Sequence, residues 1–153
     1  MLDARNHKTN IALGALSVAA LGVFFARTIV WSSFDITQTC TTQESYHIHA
    51  NLKIVLGNQQ VDIPEGIGKS PTCYRWIHTH DNSGKIHVEA PYAQELTLGD
   101  FFKVWGQPLS RDNLMGYKPD GLHTLMMSVN GKVSDAWEQL VLKDGQTIVL
   151  MYH

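Results

Sequence analysis

Eight histidines are present in the 153 residues, and four of them form two His-x-His pairs. In a β-strand, residues two positions apart project from the same face, so each pair can offer two imidazoles to one metal ion. Neutral imidazole binds zinc, copper, nickel and ferrous iron, and an all-histidine set favours zinc or copper. We therefore predict one metal site built from His47, His49, His78 and His80, with His87 as a fifth candidate ligand.

Two carboxylates lie close to these histidines in the chain. Asp81 and Glu89 are alternative ligands, or partners that fix the tautomers of the ligating imidazoles. The same histidines could instead form a hydrogen-bonded structural cluster or a solvated strand face, and the sequence leaves these alternatives open.

The turn at residues 81–84 allows two registers between the strands on either side of it, and the register decides which face of the sheet carries His87. With a two-residue tip, His78 pairs with His87, and both share a face with Glu89. With a three-residue loop and a bulge, His87 pairs with Thr79 and lies on the opposite face.

The elements that must position these residues are mostly short strands. Alternating apolar and polar residues, bounded by turn residues, predict strands at 46–56, 59–63, 74–79, 85–90, 122–129 and 146–152. Thr97 and Asp100 form a capping sequence before an apolar run at 101–105, and Gly106 follows it, so one short helix is predicted there. Strands outnumber helices, which indicates an α+β fold with a mixed sheet.

The C-terminal run at 128–152 resembles the end of a β-grasp domain, in which a strand, an Asn-Gly turn and a Lys-Asp-Gly sequence lead to the closing strand. The resemblance implies that the predicted helix packs across the sheet through Phe101, Phe102 and Trp105. It also implies that the core contains Val129, Ile148 and Leu150. His123 shares a face with apolar residues of its strand, so we predict that it is a core histidine rather than a ligand.

Residues 11–31 are apolar with a single charge, at Arg27, and as a helix they would span about 31 Å, close to the ~30 Å hydrocarbon core of a bilayer. The leader carries Arg5 and Lys8, whereas residues 32–52 lack Lys and Arg. The positive-inside rule then predicts a single-pass cell-membrane protein with a cytoplasmic N-terminus and an extracytoplasmic C-terminal domain. A cleaved signal peptide is the alternative.

The sequence therefore divides into four parts. We predict a cytoplasmic leader at 1–10, a transmembrane anchor at 11–31, a linker at 32–45 and an extracytoplasmic histidine-rich domain at 46–153. Outside the cytoplasm Cys40 and Cys73 should form a disulfide, the alternative being two thiolates that bind a soft metal. The formal net charge of −2 argues against nucleic acid as a partner.

Three blocks, YHIHANLKIV, CYRWIHTHDNSGKIHVEAP and LTLGDFFKVWG, resemble an uncharacterised family of membrane-anchored proteins of bacteria and archaea. The match runs from Tyr46 to Gly106. The resemblance implies that the predicted ligands and the two carboxylates belong to one shared pattern.

Two functions follow from these features. The first is a non-catalytic copper or zinc carrier, or an accessory subunit of an integral membrane protein complex. The second is a small hydrolytic metalloenzyme in which three histidines leave a position for water, with Glu89 or Asp81 as general base. A docking module without metal is the third reading. No G-x-S-x-G, glycine-rich phosphate loop or C-x-x-C sequence supports other chemistry.

Overall fold

The computed structural model describes residues 35–153 of the chain. The predicted leader at 1–10 and the predicted anchor at 11–31 lie outside the described residues. Within residues 35–153, no helix is both long and apolar enough to cross a bilayer.

The described residues form a mixed α+β structure that is mostly sheet and contains one α-helix. The strands and the helix, in chain order, are β1 (Tyr46–Leu56), β2 (Gln59–Gln60), β3 (Lys69–Ser70), β4 (Cys73–Tyr74), β5 (Ile77–His78), β6 (Lys85–Ala90), α1 (Leu98–Trp105), β7 (Leu109–Ser110), β8 (Asn113–Leu114), β9 (Leu125–Val129), β10 (Lys132–Val133) and β11 (Gln146–Tyr152). Short 3-10 turns occur at Ile36–Gln38 and Trp137–Gln139.

The main sheet has the order β10-β9-β11-β1-β6-β5, and β2 pairs with the end of β1. The long strand β1 lies at its centre, parallel to β11 and antiparallel to β6. Its apolar residues alternate with polar ones, so Ile48, Ala50, Leu52 and Ile54 are buried in the core. The opposite face of β1 carries His47 and His49.

The predicted helix is confirmed as α1. The Thr97 hydroxyl accepts the backbone N–H of Asp100 at 3.1 Å, and the Asp100 carboxylate accepts the backbone N–H of Thr97 at 2.8 Å. The helix ends at Trp105, and Gly106 caps it with a φ of +76°, which is accessible to glycine at little cost. Phe101 and Phe102 are fully buried, which anchors the helix in the core.

Three predicted strands are shorter than the alternation indicated. Residues 59–63 form only β2, and residues 122–129 form only β9. The predicted strand at 74–79 is divided, because the backbone N–H of Trp76 donates to the carbonyl of Thr39 at 3.1 Å. The segment between β4 and β5 therefore pairs with the chain near Cys40.

The prediction that His123 is a core residue is wrong. It precedes β9, its side chain is 43% exposed, and its Nδ1 lies 3.0 Å from an Asp120 carboxylate oxygen. That same carboxylate accepts the backbone N–H groups of Leu122 and His123, which holds a turn where the alternation predicted a strand. The ring of His123 stacks on Tyr152 with the ring centroids 4.9 Å apart.

Of the three residues predicted to lie in the core, Ile148 and Leu150 are fully buried, whereas Val129 is half-buried.

The predicted disulfide is confirmed. Cys40 and Cys73 are bonded, with their Cα atoms 5.2 Å apart. The bond joins the segment that precedes β1 to β4, close to the strand that carries His78.

Gly84 fixes the start of β6. It has a φ of +82°, and a Cβ at this position would lie 2.3 Å from the carbonyl oxygen of Leu52. The carbonyl of Gly84 accepts the backbone N–H of Leu52 at 2.8 Å. A side chain would push β6 away from β1, so glycine at 84 maintains the register of the histidine-bearing strands.

Candidate metal centre

Strand pairing brings the predicted ligands to one face of the sheet. His47 lies opposite Glu89, and His49 lies opposite His87, in the pairing of β1 with β6. In the pairing of β5 with β6, His78 lies opposite His87. The register is therefore the first of the two that the sequence allowed. Directly opposed residues share a face, so these side chains converge.

We use the name histidine–glutamate cluster for His47, His49, His78, His80, His87 and Glu89. Three groups of three residues here could each hold a metal ion, with all the ligand atoms of a group within 4.8 Å of one another. The inner triad is His78, His80 and Glu89, and the outer trio is His47, His49 and His87. Glu44, His47 and Glu89 form a third, overlapping group.

The inner triad has the dimensions of a coordination shell. The Nε2 atoms of His78 and His80 are 3.0 Å apart. Glu89 places Oε1 3.4 Å from His80 Nε2 and Oε2 3.5 Å from His78 Nε2. Ligands at about 2.0–2.2 Å from a tetrahedral ion lie roughly 3.3–3.5 Å from one another, so little movement is needed to accommodate an ion.

Hydrogen bonds to the backbone fix the His78 imidazole. Its Nδ1 lies 2.8 Å from the carbonyl oxygen of Arg75, which can only accept, so Nδ1 carries the proton. The lone pair of Nε2 then points to His80 and Glu89. This is the outer-shell arrangement that orients a metal-ligating histidine.

Lys69 holds His80 in a different way. Its Nζ lies 3.2 Å from His80 Nδ1, and an ammonium can only donate, so the proton of the neutral His80 ring is on Nε2. That N–H faces Nε2 of His78 and the Glu89 carboxylate. For His80 to bind an ion through Nε2, its ring proton must shift to Nδ1, and the Lys69 ammonium must then move away from Nδ1.

The outer trio is backed by carboxylates. His47 Nδ1 lies 2.5 Å from Glu44 Oε1, which leaves Nε2 facing His87 Nδ1 at 3.4 Å. Glu44 is thus a carboxylate behind a ligating imidazole, which raises the basicity of that imidazole and fixes its orientation. The Asp144 carboxylate accepts the backbone N–H of His49 at 2.9 Å and lies 3.8 Å from its Nδ1.

Glu89 is the centre of the cluster. Its side chain is only 9% exposed, and its Oε1 lies 3.2 Å from His47 Nε2 and 3.4 Å from His87 Nδ1. Burial raises the pKa of its carboxyl, but the neighbouring imidazoles, His78 foremost, outweigh burial and lower that pKa overall. The carboxylate is therefore ionised near neutral pH, as a metal ligand must be.

The buried histidines resist protonation. Burial lowers the pKa of His78. Burial, followed by the charges of His80, His49 and His78, lowers the pKa of His87 to about 4. Both rings are consequently neutral at physiological pH and have a lone pair for a metal ion.

These pKa shifts predict that the metal-free protein loses stability in mild acid. An unfolded histidine has a pKa of ~6.5, so between pH 6.5 and 4 His87 is protonated in the unfolded chain but neutral in the folded one. We expect the free energy of unfolding to be roughly 1–2 kcal/mol lower at pH 5 than at pH 7.5 from His87 alone. Urea unfolding of the metal-free protein at both pH values measures it.

Two variants serve as controls for this pH dependence. His87→Asn should reduce the difference between pH 7.5 and pH 5, whereas His123→Ala, outside the cluster, should leave it intact. An unchanged difference in His87→Asn would contradict the assignment.

All five predicted histidines lie in the cluster, and Glu89 is at its centre. Asp81 lies outside the three groups, because its carboxylate accepts the backbone N–H of Ser83 at 2.9 Å and holds the turn. Sequence reasoning missed Glu44, Lys69 and Asp144. Of these, only Glu44 had a local signal, since it lies three residues before His47.

Comparison of the chain with family models, with curated proteins and with solved structures found no match. The function is therefore inferred from the chemistry of the cluster.

Proposed function

We propose that this chain is a membrane-anchored, extracytoplasmic metal-binding domain that holds copper or zinc. The observation that carries this proposal is the inner triad, in which two imidazole nitrogens and a carboxylate lie 3.0–3.5 Å apart with one tautomer fixed by the Arg75 carbonyl. Two imidazole nitrogens and a carboxylate at this spacing can close on one ion with little movement.

The donor atoms favour Zn²⁺ or Cu²⁺. Imidazole nitrogen with one carboxylate oxygen suits both ions, and a harder ion such as Mg²⁺ would require more oxygen ligands. Both cysteines of the chain are in the disulfide, so the cluster offers no thiolate to favour Cu⁺. The ion would gain its affinity from His78 and His80, with Glu89 offsetting its charge.

Features outside the cluster support the proposed location of the domain, which is anchored to the membrane on its extracytoplasmic side. The apolar segment at 11–31 and its basic leader support a membrane anchor with the domain outside the cytoplasm. The Cys40–Cys73 disulfide is typical of an oxidising compartment. The parallel pairing of β1 with β11 and the helix packed on the sheet support the β-grasp resemblance, and the motifs at 46–106 support the family resemblance.

The apolar segment at 11–31 supports a carrier or an accessory subunit of a membrane complex as the first candidate. We therefore infer that the ion is held for transfer, or for a partner in such a complex. A cavity of about 210 Å³ lies beside the inner triad, because it is lined by Lys69 and Arg75, whose ammonium and carbonyl groups contact His80 and His78.

Metal titration of the full chain, purified in detergent without a histidine tag, tests this proposal. After chelation and dialysis, we expect at least one Zn²⁺ or Cu²⁺ per chain to be retained at pH 7.5 and released below about pH 5, because a protonated imidazole cannot ligate. Elemental analysis at each pH measures it. A chain that retains neither ion would overturn the proposal and favour a structural docking module.

A hydrolytic metalloenzyme is the second candidate. It is favoured by the three ligands of the inner triad, which leave a fourth position for water, and by the 39% exposure of His80. Hydrolysis of an activated ester by the zinc-loaded protein, lost in His80→Ala, would support this candidate over a carrier.

A further inference from the structure

The inner triad and the outer trio share no residue. Each alone supplies the three protein ligands that a zinc or copper ion requires. The proposed function requires only one ion, so the second group is unexplained by it.

The position of Glu89 argues against a single ion held by all five imidazoles. Its Oε1 lies 3.2 Å from His47 Nε2, 3.4 Å from His87 Nδ1 and 3.4 Å from His80 Nε2. The carboxylate thus occupies the space between the two groups, where a single shared ion would bind. Its side chain is only 9% exposed, and histidines of both groups surround it.

The two carboxylate oxygens face the two groups differently. Oε2 faces His78 of the inner triad at 3.5 Å, whereas Oε1 lies between the groups, 3.2 Å from His47 and 3.4 Å from both His87 and His80. A carboxylate that offers one oxygen to each of two ions is a bridging ligand, and dinuclear sites hold their ions about 4 Å apart.

We propose that the cluster binds two divalent transition-metal ions bridged by Glu89. The first ion is held by the inner triad, and the second by the outer trio. This inference rests on the proposed function, because both require that the cluster binds metal.

The surroundings compensate the added charge. Glu44 faces His47 Nδ1 at 2.5 Å, and Asp144 lies 3.8 Å from His49 Nδ1. Together with Glu89 they place three carboxylates around the two ions. The positive group in contact with the cluster is Lys69, and it lies behind His80, on the inner side.

The two positions differ in exposure. The inner triad has one exposed member, His80 at 39%, beside His78 at 0% and Glu89 at 9%. The outer trio has two exposed members, His47 at 38% and His49 at 39%, beside His87 at 14%. The outer ion is therefore the one that solvent and chelators reach first. A chelator should remove the two ions in separate steps, the outer ion leaving before the inner one.

Copper stoichiometry of the full, tag-free chain tests the proposal. We expect two Cu²⁺ per chain in the wild type, one in His47→Ala and none in His47→Ala/His80→Ala, because His47 belongs both to the outer trio and to the group with Glu44 and Glu89. His123→Ala, which leaves the cluster intact, should retain two. In the wild type, electron paramagnetic resonance should show the half-field signal of two copper spins a few ångströms apart, and His47→Ala should lack it.

The outcomes separate the two proposals. One ion per chain in the wild type, or two ions without spin coupling, overturns the bridged pair and leaves the proposed function standing. Ions retained by the double variant place the metal elsewhere and overturn both. Because His47 and His80 are 38% and 39% exposed, these variants should fold, and circular dichroism checks that they do.

Discussion

Replacing His78 with alanine should lower the affinity for Zn²⁺ at the inner triad by more than about 100-fold. Changing a residue that only orients a ligand already costs ~10–100-fold, and this variant removes the ligand itself. The Nε2 lone pair of His78 is already oriented for a metal ion, because the Arg75 carbonyl fixes the tautomer of the ring and burial keeps the ring neutral. Competition with a chromogenic chelator at pH 7.5 measures the dissociation constant.

The effect on affinity must be separated from a loss of folding, because His78 is fully buried. His80→Ala removes the neighbouring ligand from a half-exposed position and should cause a comparable loss of affinity. His123→Ala, which disrupts only the contacts with Asp120 and Tyr152, should bind like the wild type. Equal losses in all three variants would show that the affinity does not come from the inner triad.

Replacing both cysteines with serine should lower the free energy of unfolding by about 4 kcal/mol. The disulfide links residues 33 positions apart, and the chain-entropy model assigns that stabilisation to a loop of this length. For a domain of this size the melting temperature should fall by roughly 10–20 °C. Thermal unfolding of Cys40→Ser/Cys73→Ser against the oxidised wild type measures it.

Metal affinity should change little in that variant, because neither sulfur belongs to the cluster. Adding a reductant should lower the melting temperature of the wild type to that of the variant and leave the variant unaffected. A variant that melts with the wild type, or that loses its metal while still folded, would contradict this role for the disulfide.

The strands that carry the site were predictable from local pattern. Strands β1, β6 and β11 have the bounds that alternation gave, because each alternates over six or more residues with one face in the core. The turn at 81–84 narrowed the register of His78 and His87 to two choices. The capping pair Thr97 and Asp100 similarly located α1.

The internal arrangement of the cluster was not predictable from sequence. Glu89 was placed among the alternative ligands, since nothing local shows that β1 and β5 flank it on both sides. Lys69 and Asp144 reach the histidines from distant parts of the chain. The error at His123 has a similar origin. The Asp120 carboxylate accepts the backbone N–H groups of Leu122 and His123, which the alternating pattern had placed in a strand.

The parallel pairing of β1 with β11 has a consequence for assembly. The two strands are separated by about ninety residues, yet they lie side by side at the middle of the sheet. Long-range pairing of this kind forms late in folding, because the loop entropy must be overcome before the contacts form. The antiparallel pairing with β6 covers one edge of β1, and, of the described strands, only β11 covers the other edge. If the cluster binds metal as proposed, we expect loading to follow synthesis of β11 and to use the ion supply of the compartment in which folding ends.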